Sequence, residues 1–320
     1  MAKKKIVVIG GGTGTYTVLK GLKKYDVDLT AVVSMADDGG STGRLRDEYG
    51  VLPPGDIRRA IVALSDSSEV MKQLFEHRFS NGSLGGHSFG NLFIAALKEI
   101  LKDDARAIKE ASKLLNIRGE VLPVTLNNVR LCAELEDGQF IIGETNLDVP
   151  KHDPHLKIKR VFLTPRAVLN PDVKEALASA DLIILGPGDL YGSIIANLIV
   201  DGLNKSIAES KAKKLYVCNL MTKNGETIGL GVSDFVSIIE SYLGDSVLDY
   251  VVYNNSDFDK ELLKSYAKEN AFPIKIDKDN FNKFRAEFFA SDLVCAPILI
   301  RHDSDRLAKV LLDILLKRKS

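Results

Sequence analysis

Two hydrophobic periods alternate along this chain. Residues 5–10 (KIVVIG) are a short β-branched run ending in glycines, the pattern of a strand buried on both faces. TVLKGLKKY (17–25) has helical spacing, and VDLTAVVSM (27–35) returns to the strand pattern. This β-α-β opening predicts a parallel sheet with a right-handed crossover. LPPGDIRRAIVALSD (52–66) carries prolines, a glycine and an aspartate ahead of apolar residues at helical spacing, the signature of a helix start. In 87–102, Phe89, Leu92, Phe93, Ala96 and Ile100 form one apolar stripe, and 103–115 reads as a charged amphipathic helix.

The pattern changes over 120–163. EVLPVTL, VRLCAELEDGQFIIGE and IKRVFLTP look like strands, with EDGQ as a hairpin turn. Alternation then resumes. Helices are expected at 172–179, 193–204, 233–243, 258–270 and 303–317, and strands at DLIILG, LYVCNL, LDYVVYN and DLVCAP. The economical reading is one α/β domain over 1–320, a Rossmann-like doubly wound and mainly parallel sheet with a β-rich insertion at about 120–163. A two-lobed version has no linker to mark its boundary.

Composition narrows the function classes. The 320 residues are 45% hydrophobic and 27% charged with a formal net charge of zero, so no general pull toward nucleic acid or anionic membrane is expected. The lysines at 3–5 and 317–319 read as solvated tails. Cys132, Cys218 and Cys295 are far apart, and the last two sit in apolar runs; buried thiols in a reducing compartment fit them. With no signal-peptide pattern and no apolar run of membrane-spanning length, a cytoplasmic protein is expected. A homodimer is the default on general frequency.

Candidate chemistry gathers in the loops after the strands, where open parallel sheets bind ligands. Gly10–Thr15 (GGGTGT) joins the first strand to a helix. Gly11, Gly12 and Gly14 allow close approach of a phosphate to the helix amides, and Thr13 and Thr15 add hydroxyls. The loop is not a Walker A motif, and it departs from G-x-G-x-x-G because Thr15 occupies the third position. Gly186–Ser193 (GPGDLYGS) repeats the design with Gly186, Pro187, Gly188, Leu190, Tyr191 and Ser193; a second anion contact and a plain turn are both open.

The stretch ADDGGSTGRLR (36–46) follows the second strand. Asp37 and Asp38 suit a ribose hydroxyl or a divalent metal, Gly39 and Gly40 bend the backbone, and Arg44 and Arg46 offer charge to a diphosphate. Asp56 is open between an N-cap for a helix starting at Ile57 and a metal ligand, while Arg58 and Arg59 read as surface residues. His87 and Asn91 lie four apart at a helix start, open between ligand contact and structure; HDPH (152–155) reads as a loop. No nucleophile–base constellation stands out, so any chemistry would be metal-assisted transfer at a phosphate.

Taken in order, IGGGTGT, ADDGGSTGRLR, LPPGDIRRAIVALSD, GGHSFGNLFIAAL, LGPGDLYGSIIANLIV and YVCNLMTKNGET closely resemble the YvcK branch of the CofD superfamily, the gluconeogenesis factors, over about residues 4–315. The resemblance implies a Rossmann-like fold and a cytoplasmic protein that binds nucleotide-sugars of the UDP-N-acetylglucosamine type. It also implies a role in cell shape and growth on gluconeogenic carbon. The superfamily's other branch transfers a phospholactyl group from a guanosine diphosphate carrier to a deazaflavin alcohol with magnesium. Asp38 and Asp56 match the aspartates that branch places around the metal, but its stretch after the second strand lacks the run DGGSTGR found here. On this reading Gly12–Thr15, Ser41 and Thr42 hold phosphate oxygens and Arg44 supplies charge. Asp37 or Asp38 takes ribose or metal, and Asn219, Met221 and Thr222 border the sugar or acceptor pocket. A binding regulator and a transferase share nearly all these residues; a nicotinamide oxidoreductase is disfavoured by the broken fingerprint.

Overall fold

The computed structural model describes residues 2–295 and 298–316. β1 (Lys4–Gly10) leads through α1 (Gly12–Leu22) to β2 (Val27–Val33), with Ile6 beside Leu29 and Gly10 beside Val33. The helices α2 (Gly40–Tyr49), α3 (Pro54–Leu64), α4 (Glu69–Glu76), α5 (Phe89–Leu101) and α6 (Asp104–Leu114) precede β3 (Glu120–Pro123), which pairs with β2. An antiparallel sheet interrupts here. It consists of β4 (Arg130–Leu135), β5 (Phe140–Ile142) and, after the short helix α7 (Glu144–Asp148), β6 (Ile158–Thr164). The chain crosses back through α8 (Pro171–Ser179) to the other side of β1, where β7 (Leu182–Leu185) pairs with it. From there the sheet grows through α9 (Ala196–Leu198), α10 (Leu203–Glu209), β8 (Lys213–Val217), α11 (Val232–Leu243), β9 (Tyr250–Asn254), α12 (Lys260–Lys268) and β10 (Glu287–Ser291). A ribbon of β11 (Val294–Cys295) and β12 (Arg301–His302) and then α13 (Ser304–Leu315) follow.

The main sheet therefore runs β10-β9-β8-β7-β1-β2-β3 with every pairing parallel, a Rossmann-like α/β fold. Its centre is built from the continuous apolar runs. Ile6, Val8 and Ile9 of β1 and all four residues of β7 are buried, at about 1.5–3 kcal/mol per aliphatic side chain. The antiparallel insertion shares that core: Leu131, Ala133, Val161 and Leu163 join the same cluster. The order of strands reverses between β1 and β7, and a sheet splays its carboxyl-end loops apart at such a point, opening a crevice.

Several expectations shift. EVLPVTL is not part of the insertion: β3 is an edge strand of the main sheet, so the antiparallel unit begins at Arg130. The helix expected over 193–204 is broken. A wide π turn spans Leu190–Ile195, α9 lasts three residues, and Gly202 in the left-handed region starts α10. The seventh sheet strand is Glu287–Ser291, whose apolar run is only Phe288–Ala290 and which is not among the expected strands; Val294–Cys295 belongs to the ribbon, and Ala296 and Pro297 lie outside the described residues, as do 317–320 with the C-terminal lysines. Cys132 and Cys218 are buried as expected, whereas Cys295 is exposed. No helix among the described residues is long and apolar enough to cross a membrane.

Candidate functional site

A cleft of about 440 Å³ opens at the switch point. Three helix beginnings converge on it: Gly12 and Thr13 of α1, Gly39–Thr42 at the start of α2, and Gly55 and Asp56 of α3. The first turn of each helix leaves amide N–H groups without intrahelical partners, so the convergence makes a cradle for an anion. Gly12 has φ of 62° with open space where a Cβ would stand, so a side chain there would be strained and would project into the cleft. Gly14 serves a different end, because a Cβ on it would collide with the carbonyl oxygen of Pro187. The two glycine loops are thus in backbone contact, and Ser193 completes the cleft wall from the β7 side.

The carboxylates sort themselves by direction. Asp37 lines the cleft and caps its own turn by accepting from Gly39 N–H at 2.9 Å. Asp38, expected beside a metal, points away into the insertion. Its Oδ1 accepts from the Thr145 amide and hydroxyl, both at 2.9 Å, and Arg130 donates to its Oδ2 at 3.4 Å. Asp56 faces Asp37 in the cleft. It is not an N-cap, because Pro54 begins α3 two residues earlier and sets Asp56 inside the first turn. Burial, then the charge of Asp37, push its carboxyl up to about 6, while Arg59 (3.1 Å from Oδ1) and the Gly12 amide pull the other way.

The cations of the cleft differ from those expected. Arg44 is exposed and donates to Gly85 O at 3.0 Å, outside the cleft lining, and Arg46 is buried and tethers α2 by donating to Asp37 O at 2.8 Å. Arg58, Arg59 and Arg78 line the cleft instead. Arg58 is buried and donates to Asn91 Oδ1 at 3.0 Å; Asn91 donates to Ser41 Oγ at 3.2 Å, and His87 Nδ1 lies 3.0 Å from that hydroxyl. His87 and Asn91 thereby brace the first turn of α2, and of the two only Asn91 reaches the cleft. Burial, then Arg44, hold the His87 ring below its ordinary pKa, so it is neutral at pH 7.

The far wall joins α7, which carries no motif, to Asp189 of the second glycine loop. Glu144, Thr145 and Asp148 of α7 and Asp189 ahead of the π turn line it. Burial, then Asp37 and Asp148, push the Glu144 carboxyl up to about 9, so it is protonated at neutral pH. Lys223 ties this wall together: its Nζ pairs with Asp148, with Asp189 at 2.8 Å and with the buried Glu226 at 3.1 Å. Burial works against the Lys223 charge, but the three carboxylates outweigh it and hold its pKa above the ordinary value. Of the remaining expected residues, Gly14, Pro187, Gly188, Asn219 and Met221 line a narrower neighbouring space of about 180 Å³. Leu190 and Tyr191 are buried in the core, and Thr222 pairs with Phe272, donating its amide to the carbonyl at 2.7 Å. Gly11, Thr15 and Gly186 stand behind the cradle rather than in it, with Thr15 Oγ1 buried and Gly186 N–H donating to Ile9 O at 2.9 Å.

Comparison with known proteins agrees with the fold. The family model described as 2-phospho-L-lactate transferase CofD matches residues 6–294. The gluconeogenesis factor of Bacillus subtilis (strain 168) is 42% identical over 316 residues, covering 98% of each chain. The gluconeogenesis factor of Listeria innocua is 40% identical over 316 residues, covering 98% of this chain and 96% of that one. The crystal structure of a UPF0052-family protein from Bacillus halodurans superposes with a TM-score of 0.93 at 41% identity, covering 98% of this chain and 99% of the other.

Proposed function

Since the chain belongs to the CofD family and, within it, to the gluconeogenesis factors, we propose that its switch-point cleft binds a nucleotide-sugar of the UDP-N-acetylglucosamine type. In this reading the protein acts in the cytoplasm as a regulator of cell shape and of growth on gluconeogenic carbon. One observation carries the proposal: the starts of α1, α2 and α3 line one cavity that also holds Arg58, Arg59 and Arg78. That is the equipment for a diphosphate, amides for close contact and guanidinium groups for charge.

Asp37 and Asp56 are the residues that would hold a magnesium ion, and the donor set fits. They are two facing carboxylates, one of them pushed up to about 6 by burial and by the charge of the other. Such an ion supplies charge neutralisation between the aspartates and the phosphates. The same pair favours a second reading, phospho-group transfer of the 2-phospho-L-lactate transferase type that the family's description names, with the guanosine diphosphate-linked donor and deazaflavin alcohol acceptor that the sequence resemblance implies. In either case Arg59 orients the phosphates, and α7 with Glu144 shields the cleft from water.

Calorimetry with UDP-N-acetylglucosamine, GDP and NAD, each with and without magnesium, decides. Tight UDP-sugar binding without product supports the regulator. Release of GMP from GDP-linked phospholactate in the presence of the deazaflavin acceptor replaces it with the transferase.

A further inference from the structure

The carboxyl edge of the sheet holds a second cavity, of about 570 Å³, over the ends of β8 and β9. The 180 Å³ space between the glycine loops joins it to the cleft: Thr13 and Asp189 border that space and the cleft, and Asn219 and Leu220 border that space and the second cavity. The three form one trough running from the end of β2 across β1, β7 and β8 to β9. Four strand spacings at about 4.8 Å make it roughly 19 Å long.

The chemistry changes along the trough. The cleft is charged, whereas the second cavity is walled by Leu220, Val232, Phe258, Leu263, Pro273 and Ile274, with the exposed Asp257 and Lys260 as the charged residues of its lining. Phe258 and Leu263 are only half-buried and lie outside the main hydrophobic core, so what they pack against is the cavity itself. The polar groups that interrupt these walls include the amides of Asn219 and Asn255 and the hydroxyl of Ser256. An amide presents a donor and an acceptor side by side, the complement of a heterocycle's edge. The wall is also preformed. Asn254 locks its loop by donating to Ser256 O at 2.9 Å while accepting from Ser256 Oγ at 2.8 Å and Leu293 N–H at 3.0 Å.

We infer that this cavity holds the nucleobase of the cleft's ligand, an uncharged planar ring with apolar walls on its faces and amide groups at its edge. The ribose then passes Asn219, and the sugar lies at the opposite, Glu144 end of the cleft. This inference rests on the diphosphate reading of the cleft.

The test measures UDP and inorganic pyrophosphate binding by calorimetry for the wild type, Leu263→Trp, which fills the cavity, and Phe258→Ala, which removes a wall. The expected result is at least a tenfold loss of UDP affinity in both variants with pyrophosphate affinity held within twofold. UDP affinity unchanged in both variants overturns the placement of the base and leaves the diphosphate reading standing. Equal loss of UDP and pyrophosphate in cooperatively melting variants also overturns it. A wild type that binds neither probe overturns both readings.

Discussion

Asp37 and Asp56 face each other across the cleft, and the structure gives them unequal partners. Asp37 is satisfied by the Gly39 amide of its own turn. Asp56 is buried, with Arg59 as its one ion-pair partner among the described residues. Two carboxylates in one cavity cannot both ionise cheaply, and the buried one yields. The pair stores an unmet demand for positive charge at the point where the helix starts meet.

Replacing Asp56 by Asn makes that demand measurable. The folded carboxyl titrates near 6 against an ordinary 3.8, so the native state binds the extra proton and stability falls as pH rises between those values. The cost at pH 7 is on the order of 3 kcal/mol at ~1.4 kcal/mol per pH unit. Asp56→Asn is therefore expected to melt near the wild-type temperature at pH 4 and above it at pH 7.5, in magnesium-free buffer. Differential scanning calorimetry across that range checks it; a gap that narrows with rising pH has the wrong sign.

Arg59 and Arg44 separate cleft from surface. Arg59 lines the cleft beside Asp56, while Arg44 is spent on Gly85 O. Arg59→Ala is expected to weaken UDP binding by about 10- to 100-fold, the loss of a charge-assisted contact worth roughly 1–3 kcal/mol. Arg44→Ala should stay within threefold of wild type. Calorimetric titration of both variants settles the order, and a larger loss for Arg44→Ala would reverse it.

The division between these arginines shows what the sequence carries. Glycine loops after β-branched runs are local signals, and the β-α-β opening, the cradle and the reversal around β1 follow from them. Whether Asp37 or Asp38 enters the cleft is not local: both lie in the loop beyond β2, and Thr145 and Arg130, about a hundred residues on, claim Asp38. Arg58 and Arg59 look like surface residues until Pro54 fixes the start of α3 and so turns that part of the helix toward the cleft. Glu144, Asp148 and Lys223 meet only because the insertion folds back over the switch point, a long-range fact with no periodicity behind it.

Lys223 is the residue that holds this far wall closed. Removing its charge leaves Glu226, whose side chain is 1% exposed, without a counter-ion. Lys223→Met is expected to destabilise the protein by about 3 kcal/mol, since an orphaned buried charge costs far more than an exposed pair returns. Adding Glu226→Gln should recover at least half of that loss. Urea denaturation of the single and double variants provides the comparison, and a double variant no more stable than Lys223→Met alone would show that the pair is not the cause.

Gly14 tests whether the two glycine loops act as one device. Its Cα lies so close to the Pro187 carbonyl that any β-carbon must push the loops apart. Overpacking of this kind costs about 1–3 kcal/mol, and here the strain falls on backbone, which has no side-chain rotamer to release it. Displacing the loops also moves Gly12 and Thr13 of α1 away from Ser193, which holds the other side of the cleft. Gly14→Ala is therefore expected to lower the melting temperature by several degrees and to weaken pyrophosphate binding more than tenfold. Gly82→Ala, at an exposed turn with open space around it, should lower the melting temperature modestly, through left-handed strain alone, and leave binding intact. Measuring both variants by calorimetry and pyrophosphate titration distinguishes loop contact from general glycine strain, because only the first couples the loss of stability to a loss of anion affinity.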